Sequence, residues 1–379
     1  MKRLLIIVPN LRLGGQERVA VNTAEIMSDD YEVTLLTFDN SEPAYEWNGS
    51  FIDIDVPAKP GKLIKVINVI RRAMKVKSIK CRLGIDFCIS FGESANIINV
   101  LSRGRGKVLT SIRGYSNLLS RPIDKFIYGH SDKVICCSKE IKDKYDELFI
   151  KYHNSEALYN PYDITRLKVL GNEQIEDFVS LGYTIITHGR LEKVKNYARL
   201  IKAISIVKEK IENVRLVIIG EGSEKNNLED LVRDLGLENN VSLLGFQSNP
   251  FAYLAKSDLY VLSSLNEGFP NALVEGMIFL PVVAVDCKSG PREILNDEVG
   301  GEQCSGFEEA KYGILVKQSK NTAYSKYVEE DDSILAEAII GLLTNKEKMF
   351  YYKDMAEKRA NEFSVKSYKS KMKQILEGI

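Results

Sequence analysis

The sequence alternates short apolar runs with helical patterns, and it goes through this alternation twice. The first series of apolar runs covers residues 4–8, 33–38, 87–90, 108–112 and 134–137, and the second covers 183–188, 214–219, 241–244, 259–262 and 282–286. Helical periodicity lies between them, for example over 17–28, 62–80, 198–211, 224–235 and 271–279. Such alternation is typical of parallel sheets covered by helices. The sequence therefore predicts an α/β protein with two Rossmann-like, doubly wound domains, each with a ligand crevice at the carboxyl ends of its strands.

The boundary between the two domains is predicted at the polar stretch 170–174, which separates the two series. A chain of 379 residues is too long for one ordinary core. We predict an N-terminal domain over 1–170 and a C-terminal domain over 171–360. A last helical pattern over 364–376 predicts a separate C-terminal helix within 361–379.

Cysteine and histidine usage argues against a metal site. The chain has three histidines and six cysteines, and no two cysteines form a Cys-x-x-Cys pair. Neither a metal centre nor a disulfide framework is expected, and the cytoplasm fits this composition.

No apolar run is long enough to span a bilayer, and the apolar start is interpreted as a first strand rather than a signal peptide. No nucleic-acid partner is predicted.

A basic stretch runs from Lys59 to Arg82. It holds nine basic residues and no acidic one, with apolar residues between them. A basic amphipathic helix of this kind can lie on an anionic membrane surface, where each Lys or Arg contributes ~1 kcal/mol. A helix that packs on the core and turns a basic face to solvent has the same pattern. The sequence alone leaves both interpretations open.

Glycines follow the first predicted strand, at Gly14 and Gly15, just before a helical pattern. Glycine lets the backbone turn tightly, and the amides of the next helix N-terminus suit an anion. The segment lacks the G-x-G-x-x-G spacing of dinucleotide-binding domains, which makes a dehydrogenase a poor fit.

Two cations follow the first strand of the second domain. Arg190 and Lys195 lie in the strand-to-helix loop that begins at Gly189. An arginine fork and a lysine point charge can converge on a diphosphate at such a place. A solvated basic loop is the alternative.

Two glutamates, Glu267 and Glu275, stand eight positions apart with a Gly-Phe-Pro turn after the first. Pro270 and Asn271 predict a helix start, so that Glu267 lies in a loop and Glu275 just over one turn inside the helix. Carboxylates suit sugar hydroxyls because each accepts two or more hydrogen bonds. A capped surface helix is the alternative.

Together these clusters resemble the retaining GT-B glycosyltransferases of family 4, the glycosyl transferases group 1. The Glu267-x7-Glu275 spacing is similar to their E-x7-E motif, and the pair Arg190 and Lys195 is similar to their diphosphate clamp. Other similar stretches are Gly14-Gly15-x-Glu17, 134–139, 159–163 and 219–222. The resemblance implies a GT-B fold, with a cleft between two Rossmann-like domains and a final helix that crosses back to the first.

The resemblance also implies roles for matching residues. Glu275 would bind the donor ribose, Glu267 would contact hydroxyls of the transferred sugar, and Arg190 and Lys195 would neutralise the leaving diphosphate. Glu267, Arg190 and Lys195 are thus the expected catalytic residues. The further donor-binding positions are Gly14, Gly15, Gly189, Gly222, Gly268, Phe269, Pro270, Asn271 and Ala272.

No cofactor and no metal are expected from the resemblance. The co-substrate would be a nucleotide diphosphate sugar, with UDP as the expected nucleotide. A hexose or N-acetylhexosamine would go to a glycan or a polyprenyl-diphosphate-linked acceptor in the assembly of bacterial surface polysaccharide, such as capsule or lipopolysaccharide. The expected location is the cytoplasm, with peripheral attachment to the inner face of the cell membrane.

The acceptor side is expected to involve Arg113, Ser138 and Asn160. Many family relatives carry a histidine at the end of a middle strand of the first domain, and Arg113 stands at the corresponding place here. Arginine can bind a sugar oxygen or a phosphate, but it cannot take up a proton.

Two other functions share this fold. A nucleotide-sugar epimerase or a phosphorylase would lack the Glu-Gly-Phe-Pro-Asn form that begins at Glu267. A non-catalytic nucleotide-sugar-binding protein would keep the pocket without the chemistry. The presence of Glu267, Glu275, Arg190 and Lys195 favours an enzyme, whereas the change at Arg113 leaves the binding protein open.

Overall fold

A computed structural model describes residues 1–115, 118, 121–175, 178, 182–297, 299, 301–319 and 323–379. The chain forms two compact units, one of Met1–Pro161 with Val365–Ile379 and the other of Tyr162–Ser364. Among the described residues, no helix combines the length and the apolar character needed to cross a membrane.

The first unit is built on a seven-stranded sheet in the order β3-β2-β1-β4-β5-β6-β7, in which all neighbours pair in parallel. The strands, numbered along the chain, are β1 (Lys2–Ile7), β2 (Tyr31–Thr37), β3 (Ser50–Asp53), β4 (Phe87–Ser90), β5 (Lys107–Ile112), β6 (Lys133–Cys136) and β7 (Ser155–Ala157). Buried apolar clusters cover the sheet on both faces, as expected for a parallel sheet.

The helices of the first unit include one from the end of the chain. They are α1 (Gly15–Met27), α2 (Lys62–Leu83), α3 (Glu93–Leu101), α4 (Pro122–Gly129), α5 (Lys139–Leu148) and α14 (Val365–Glu377). The hydroxyl groups of Tyr368 on α14 and Thr23 on α1 lie 2.7 Å apart in a hydrogen bond. Lys373 on α14 also pairs with Asp30 at 2.9 Å. The C-terminal helix therefore belongs to the first unit through both buried and surface contacts.

The second unit repeats the architecture. Its sheet has the order β10-β9-β8-β11-β12-β14-β13, with β13 antiparallel to β14 and the other pairs parallel. The strands are β8 (Tyr183–His188), β9 (Val214–Ile219), β10 (Val241–Gly245), β11 (Leu259–Leu262), β12 (Val282–Val285), β13 (Phe307–Ala310) and β14 (Gly313–Val316). The helices are α6 (Ile164–Gly171), α7 (Tyr197–Lys210), α8 (Lys225–Asp234), α9 (Pro250–Ala255), α10 (Asn271–Met277), α11 (Pro291–Asn296), α12 (Glu330–Leu343) and α13 (Lys346–Glu362).

The predicted α/β fold is confirmed, and each predicted strand has a counterpart. The sequence did not predict β3, β7, β13 and β14. Two of these, β3 and β13, are edge strands with mostly exposed side chains, so they lack the apolar run on which the prediction depended. The strand β7 has three residues, which is too short to register as a pattern.

The boundaries between the two units differ slightly from those predicted. The first boundary follows Pro161 rather than residue 170. Helix α6 belongs to the second unit, where Asn249 donates a 2.9 Å hydrogen bond to the Leu170 carbonyl and Lys168 pairs with Glu357. The second boundary follows Ser364 rather than residue 360, because α13 continues to Glu362.

Helix α2 accounts for most of the basic stretch. One face packs on the core through Val76 and Ile79. The buried Arg72 donates two hydrogen bonds to the Val56 carbonyl, and Lys80 donates to both oxygens of Asn99. Some of the basic residues therefore hold the fold together, and the interpretation of a core-packing helix is correct for this face.

Candidate active site

The strands β8, β11 and β12 lie side by side in the second unit, and their carboxyl ends meet at one edge. The order β9-β8-β11 reverses direction between β8 and β11, which is the point where open α/β sheets bind ligands. The loop after β8 carries Arg190 and Lys195, and the loop after β11 carries Glu267. The fold thus brings the two predicted motifs to the same edge.

Lys195 and Glu267 form an ion pair across these two loops. The Lys195 Nζ lies 2.7 Å from Glu267 Oε1, and the side chains are 20% and 12% exposed. The backbones are joined as well, because Leu265 donates to the Val194 carbonyl at 2.8 Å and the Ser263 hydroxyl donates to the Lys195 carbonyl at 2.8 Å. The pair is therefore held by its surroundings and partly open to solvent.

Glu275 lies on α10 and is paired with His188, the last residue of β8. His188 Nε2 donates to Glu275 Oε2 at 2.7 Å, and both side chains are nearly buried. The ring of Tyr260 packs edge-on against the imidazole at 5.6 Å between centroids. A side chain at position 276 would clash with that ring, since a Cβ on Gly276 would lie 2.4 Å from it. The sequence signal for His188 was its place at the end of a strand, directly before the loop with the predicted clamp.

The turn that follows Glu267 is fixed by a second segment. The Glu267 amide donates to the Lys288 carbonyl at 2.9 Å, and the Ser289 hydroxyl donates to the Gly268 carbonyl at 2.8 Å. The ring of Phe269 is buried and packs edge-to-face on Phe363, 5.3 Å away. The Phe269 side chain therefore packs inside the unit rather than lining an open surface.

Helix α10 begins where the sequence predicted a helix start. Asn271 is its first residue and Pro270 precedes it, while Ala272 is half-buried in the first turn. The Asn271 side-chain oxygen accepts a 2.6 Å hydrogen bond from the Tyr162 hydroxyl. The Asn271 side chain thus has a hydrogen-bond partner within the unit, and its role in donor binding stays a prediction.

Arg190 does not join Lys195 in this structure. Its guanidinium lies 3.1 Å from Glu192 and its side chain is 65% exposed. The structure brings Lys195 to Glu267 and leaves Arg190 in solvent beside a local carboxylate. The predicted clamp therefore requires Arg190 to turn toward the ligand. An exposed arginine can change rotamer at little cost, which makes such a turn feasible.

Glycines let two loops of this edge lie backbone to backbone. A Cβ on Gly222 would come within 2.3 Å of the Leu191 carbonyl oxygen. The Leu191 amide donates to the Glu221 carbonyl at 2.9 Å, and the Glu224 amide donates to Leu191 at 2.9 Å. Gly189 has a φ of +148°, which favours glycine at this position. Gly189 and Gly222 therefore shape the loops of the edge.

In the first unit, Gly14 is the N-cap of α1 and Gly15 its first residue. The Gly14 amide donates to the Tyr45 hydroxyl at 3.4 Å, and that hydroxyl donates to the Gly14 carbonyl at 3.0 Å. The role of Gly14 in donor binding stays a prediction. A Cβ at Gly14 would lie 2.2 Å from a carboxylate oxygen of Glu17. Because that oxygen ends a flexible side chain, a larger residue at position 14 would require Glu17 to move aside.

The predicted acceptor-side residues divide into two groups. Arg113, which follows β5, donates from its guanidinium to the Asn160 side-chain oxygen and lies over the ring of Phe91 at 5.7 Å. Ser138 is buried and caps α5, where its hydroxyl oxygen accepts a 3.2 Å hydrogen bond from the Ile141 amide. The structure brings Arg113 and Asn160 together and gives the Ser138 hydroxyl a structural role.

Several titratable groups beside the site are held neutral. Burial raises the pKa of the Tyr260 hydroxyl and of the Cys287 thiol, and the nearby carboxylate of Glu267 raises the pKa of Cys287 further. Within the described part of the chain, no three His, Cys, Asp or Glu side chains form a group that could hold a metal ion.

A family model for glycosyl transferases group 1 matches residues 172–361, which includes both motifs of the second unit. The match therefore covers the unit in which Lys195, Glu267, His188 and Glu275 meet.

Two relatives extend the similarity beyond that unit. An uncharacterized glycosyltransferase of Methanocaldococcus jannaschii is 34% identical over 67% of this chain and 65% of its own length. The N-acetylgalactosamine-N,N'-diacetylbacillosaminyl-diphospho-undecaprenol 4-alpha-N-acetylgalactosaminyltransferase of Campylobacter jejuni is 30% identical over 88% of this chain and 92% of its own length.

The fold also matches that of a solved structure. The Anabaena protein HepE in complex with UDP and glucose superposes with a TM-score of 0.78 and 17% identity, over 100% of this chain and 100% of that one. At this identity the likeness shows a shared fold.

Proposed function

The chain belongs to the family of glycosyl transferases group 1, and we propose that it is a retaining, metal-independent transferase. It moves a hexose or an N-acetylhexosamine from a UDP-linked donor to a glycan or a lipid-linked acceptor. The observation that carries this proposal is the pair of contacts at one sheet edge, Lys195 with Glu267 and His188 with Glu275, each at 2.7 Å.

The proposed donor site assigns one task to each carboxylate. Glu275 accepts hydrogen bonds from the ribose hydroxyls, with His188 fixing the orientation of its carboxylate. Glu267 accepts from hydroxyls of the transferred sugar. A carboxylate accepts two or more hydrogen bonds, and the contacts with His188 and Lys195 orient these two carboxylates for the donor.

The proposed role of Lys195 is electrostatic. As the bond from the sugar C1 to the diphosphate oxygen breaks, negative charge grows on the leaving group. A fixed ammonium in a partly dehydrated site stabilises that charge more than it stabilises the bound donor, and this difference lowers the barrier. Arg190, once turned toward the ligand, adds a bidentate donor to the same diphosphate. These two cations take the place that a divalent metal has in other transferases.

Retention of configuration is proposed from family membership. The acceptor hydroxyl forms its bond to C1 on the face from which the diphosphate departs, and its proton goes to the departing phosphate oxygen. This path needs no carboxylate nucleophile. It requires a leaving group that is well stabilised, which is the task proposed for Lys195 and Arg190.

The acceptor is proposed to contact the first unit through Arg113 and Asn160. Arg113 carries a permanent charge after β5, and its contact with Asn160 sets the guanidinium orientation. The relative from Campylobacter jejuni carries diphospho-undecaprenol in its name. We propose that Arg113 binds an anionic or oxygen-rich part of a comparable lipid-linked glycan in bacterial surface polysaccharide assembly, which locates the enzyme at the inner face of the membrane.

Thermal unfolding with a panel of nucleotides and nucleotide sugars tests the donor site. A ligand present at ~100 times its dissociation constant adds about 2.7 kcal/mol of stability. We expect UDP and one or more UDP-sugars to raise the melting temperature of the wild type. The same ligands should leave the melting temperature of Lys195→Ala unchanged. Lys193→Ala is the matched control, because Lys193 is exposed in the same turn. A stabilisation by UDP that Lys195→Ala keeps in full would contradict the proposed clamp.

A further inference from the structure

Helix α2 has a second apolar face that points to solvent. Its residues recur at helical spacing and are between 52% and 81% exposed; they are Leu63, Val66, Ile67, Ile70 and Met74, called here the outer ridge. Single exposed apolar side chains are ordinary on a protein surface. A continuous row along one helix is not, and such rows mark sites of interaction with a partner or a membrane.

The outer ridge is not a core face that happens to be loosely packed. The core face of the same helix carries Asn68, Arg72, Val76 and Ile79, all buried. At 100° per residue these positions lie on the opposite side of the helix from the ridge. The helix is therefore apolar on two sides, and the fold uses only one of them.

Exposed basic residues lie on both sides of the outer ridge. Lys62 and Lys77 border it along one side and Arg71 along the other, while Lys65 lies near the N-terminal end; all four are exposed. No acidic residue occurs within α2. An apolar ridge with a positive border matches the interface of an anionic bilayer, in which acyl chains lie below a layer of negative headgroups.

The helices α3 and α4 of the first unit also carry exposed apolar side chains. Helix α3 packs against both α2 and α4. Ile123 and Phe126 on α4 and Leu101 on α3 are each about two-fifths exposed, at 42%, 40% and 43%. Exposed apolar side chains in the first unit are thus not confined to α2.

We propose that the outer ridge of α2 inserts into the headgroup region of a membrane that contains anionic phospholipids, with Lys62, Arg71 and Lys77 at the phosphate level. The proposal deepens and rests on the lipid-linked acceptor proposed above, since a docked first unit would meet such an acceptor at the bilayer surface. Vesicle binding needs neither donor nor acceptor, however, so a failure of the docking surface is distinguishable from a failure of the proposed reaction.

Sedimentation with vesicles tests the proposal. The full chain is mixed with vesicles of phosphatidylcholine alone or of phosphatidylcholine with phosphatidylglycerol. We expect binding to the anionic vesicles, weakened by added salt. The triple variant Val66→Ser, Ile67→Ser and Ile70→Ser should lose binding while its melting temperature and its response to UDP stay those of the wild type, because these side chains are exposed.

Charge reversal gives an independent second variant. Lys62→Glu, Arg71→Glu and Lys77→Glu should together weaken binding at least about a hundredfold, since the loss of each basic residue near an anionic surface costs on the order of a fivefold factor and each new carboxylate adds repulsion. Arg72 and Lys75 are unsuitable, because they hold the Val56 and Ile54 carbonyls. The matched control is Lys346→Glu, Lys353→Glu and Lys366→Glu, which makes the same charge change at exposed positions outside α2 and should bind as the wild type does.

Three outcomes would overturn the proposal. The wild type could fail to bind anionic vesicles, or both α2 variants could bind as the wild type does. The wild type could also form a dimer that the serine variant converts to a monomer without any vesicle binding, which would make the outer ridge an interface between two copies of the chain.

Discussion

The ammonium of Lys195 lies 2.7 Å from Oε1 of Glu267, although the two residues are 72 positions apart in the sequence. Without a donor, each charge is satisfied by the other. A diphosphate that attracts Lys195 would weaken this pair and leave the Glu267 oxygens more available to sugar hydroxyls. In the proposed mechanism, the ion pair is therefore a resting arrangement from which both residues turn to the donor.

Replacement of Lys195 should lower both turnover and stability. We expect Lys195→Ala to lower kcat by about 10²–10³, the range measured when one donor to a developing negative charge is removed. The free energy of unfolding should fall by about 1–3 kcal/mol, because Lys195→Ala leaves the largely buried Glu267 carboxylate without its partner. Steady-state kinetics and urea unfolding measure the two effects. Equal kcat values for Lys195→Ala and the control Lys193→Ala would show that Lys195 has no catalytic role.

The contact of His188 with Glu275 predicts a different pattern. His188→Ala leaves a nearly buried carboxylate without its N–H donor, which should cost about 1–3 kcal/mol of stability and raise the KM for the donor. His188→Gln can place an amide N–H near Glu275 and should recover part of both losses. Donor kinetics and chemical unfolding of the two variants test this. An unchanged KM for the donor in His188→Ala would show that His188 only packs in the unit and has no role in donor binding.

Loop contacts at the donor edge make Gly222 sensitive. Gly222→Ala would push a methyl group to within 2.3 Å of the Leu191 carbonyl oxygen, so the loops that carry the clamp must separate. We expect a lower melting temperature and a weaker response to UDP. Gly341→Ala, in the last turn of α12 with open space around it, should instead stabilise the chain by up to about 1 kcal/mol. Similar effects of the two alanines would contradict the close loop packing.

Chelation tests the proposed independence from metal. If Lys195 and Arg190 supply the positive charge at the diphosphate, activity should survive EDTA unchanged. The initial rate of UDP release, with and without added magnesium or manganese, is the measurement. A loss of activity in EDTA that magnesium restores would show that a metal carries the role proposed for the two cations.

Much of the fold could be predicted because it depends on local pattern. Buried parallel strands are apolar runs, and the helices between them carry a clear period, so the two Rossmann-like units were visible in the sequence. The motif around Glu267 and Glu275 was visible for a similar reason, since its spacing lies within one loop and one helix. The edge strand β3, by contrast, has no buried face to create a pattern.

The contacts of the site could not be predicted in the same way, because they depend on which strands become neighbours. His188 meets Glu275 only because β8 lies beside β11, and 87 positions separate the two residues. The contact between the Tyr45 hydroxyl and the Gly14 amide also joins residues that are 31 positions apart. Likewise, the composition of α2 could not show that Arg72 is structural while Arg71 is exposed.

Proton NMR of the sugar released from a UDP-linked donor is the most direct test of the proposed function. Without an acceptor, water takes its place slowly, and the first anomer to appear reports the stereochemistry before mutarotation. From α-linked UDP-hexoses and UDP-N-acetylhexosamines we predict that one donor yields the α anomer first, and that Lys195→Ala abolishes the signal. Release of the β anomer first would contradict a retaining mechanism, and the absence of UDP release from every donor, with or without a lipid-linked glycan, would contradict a UDP-sugar transferase.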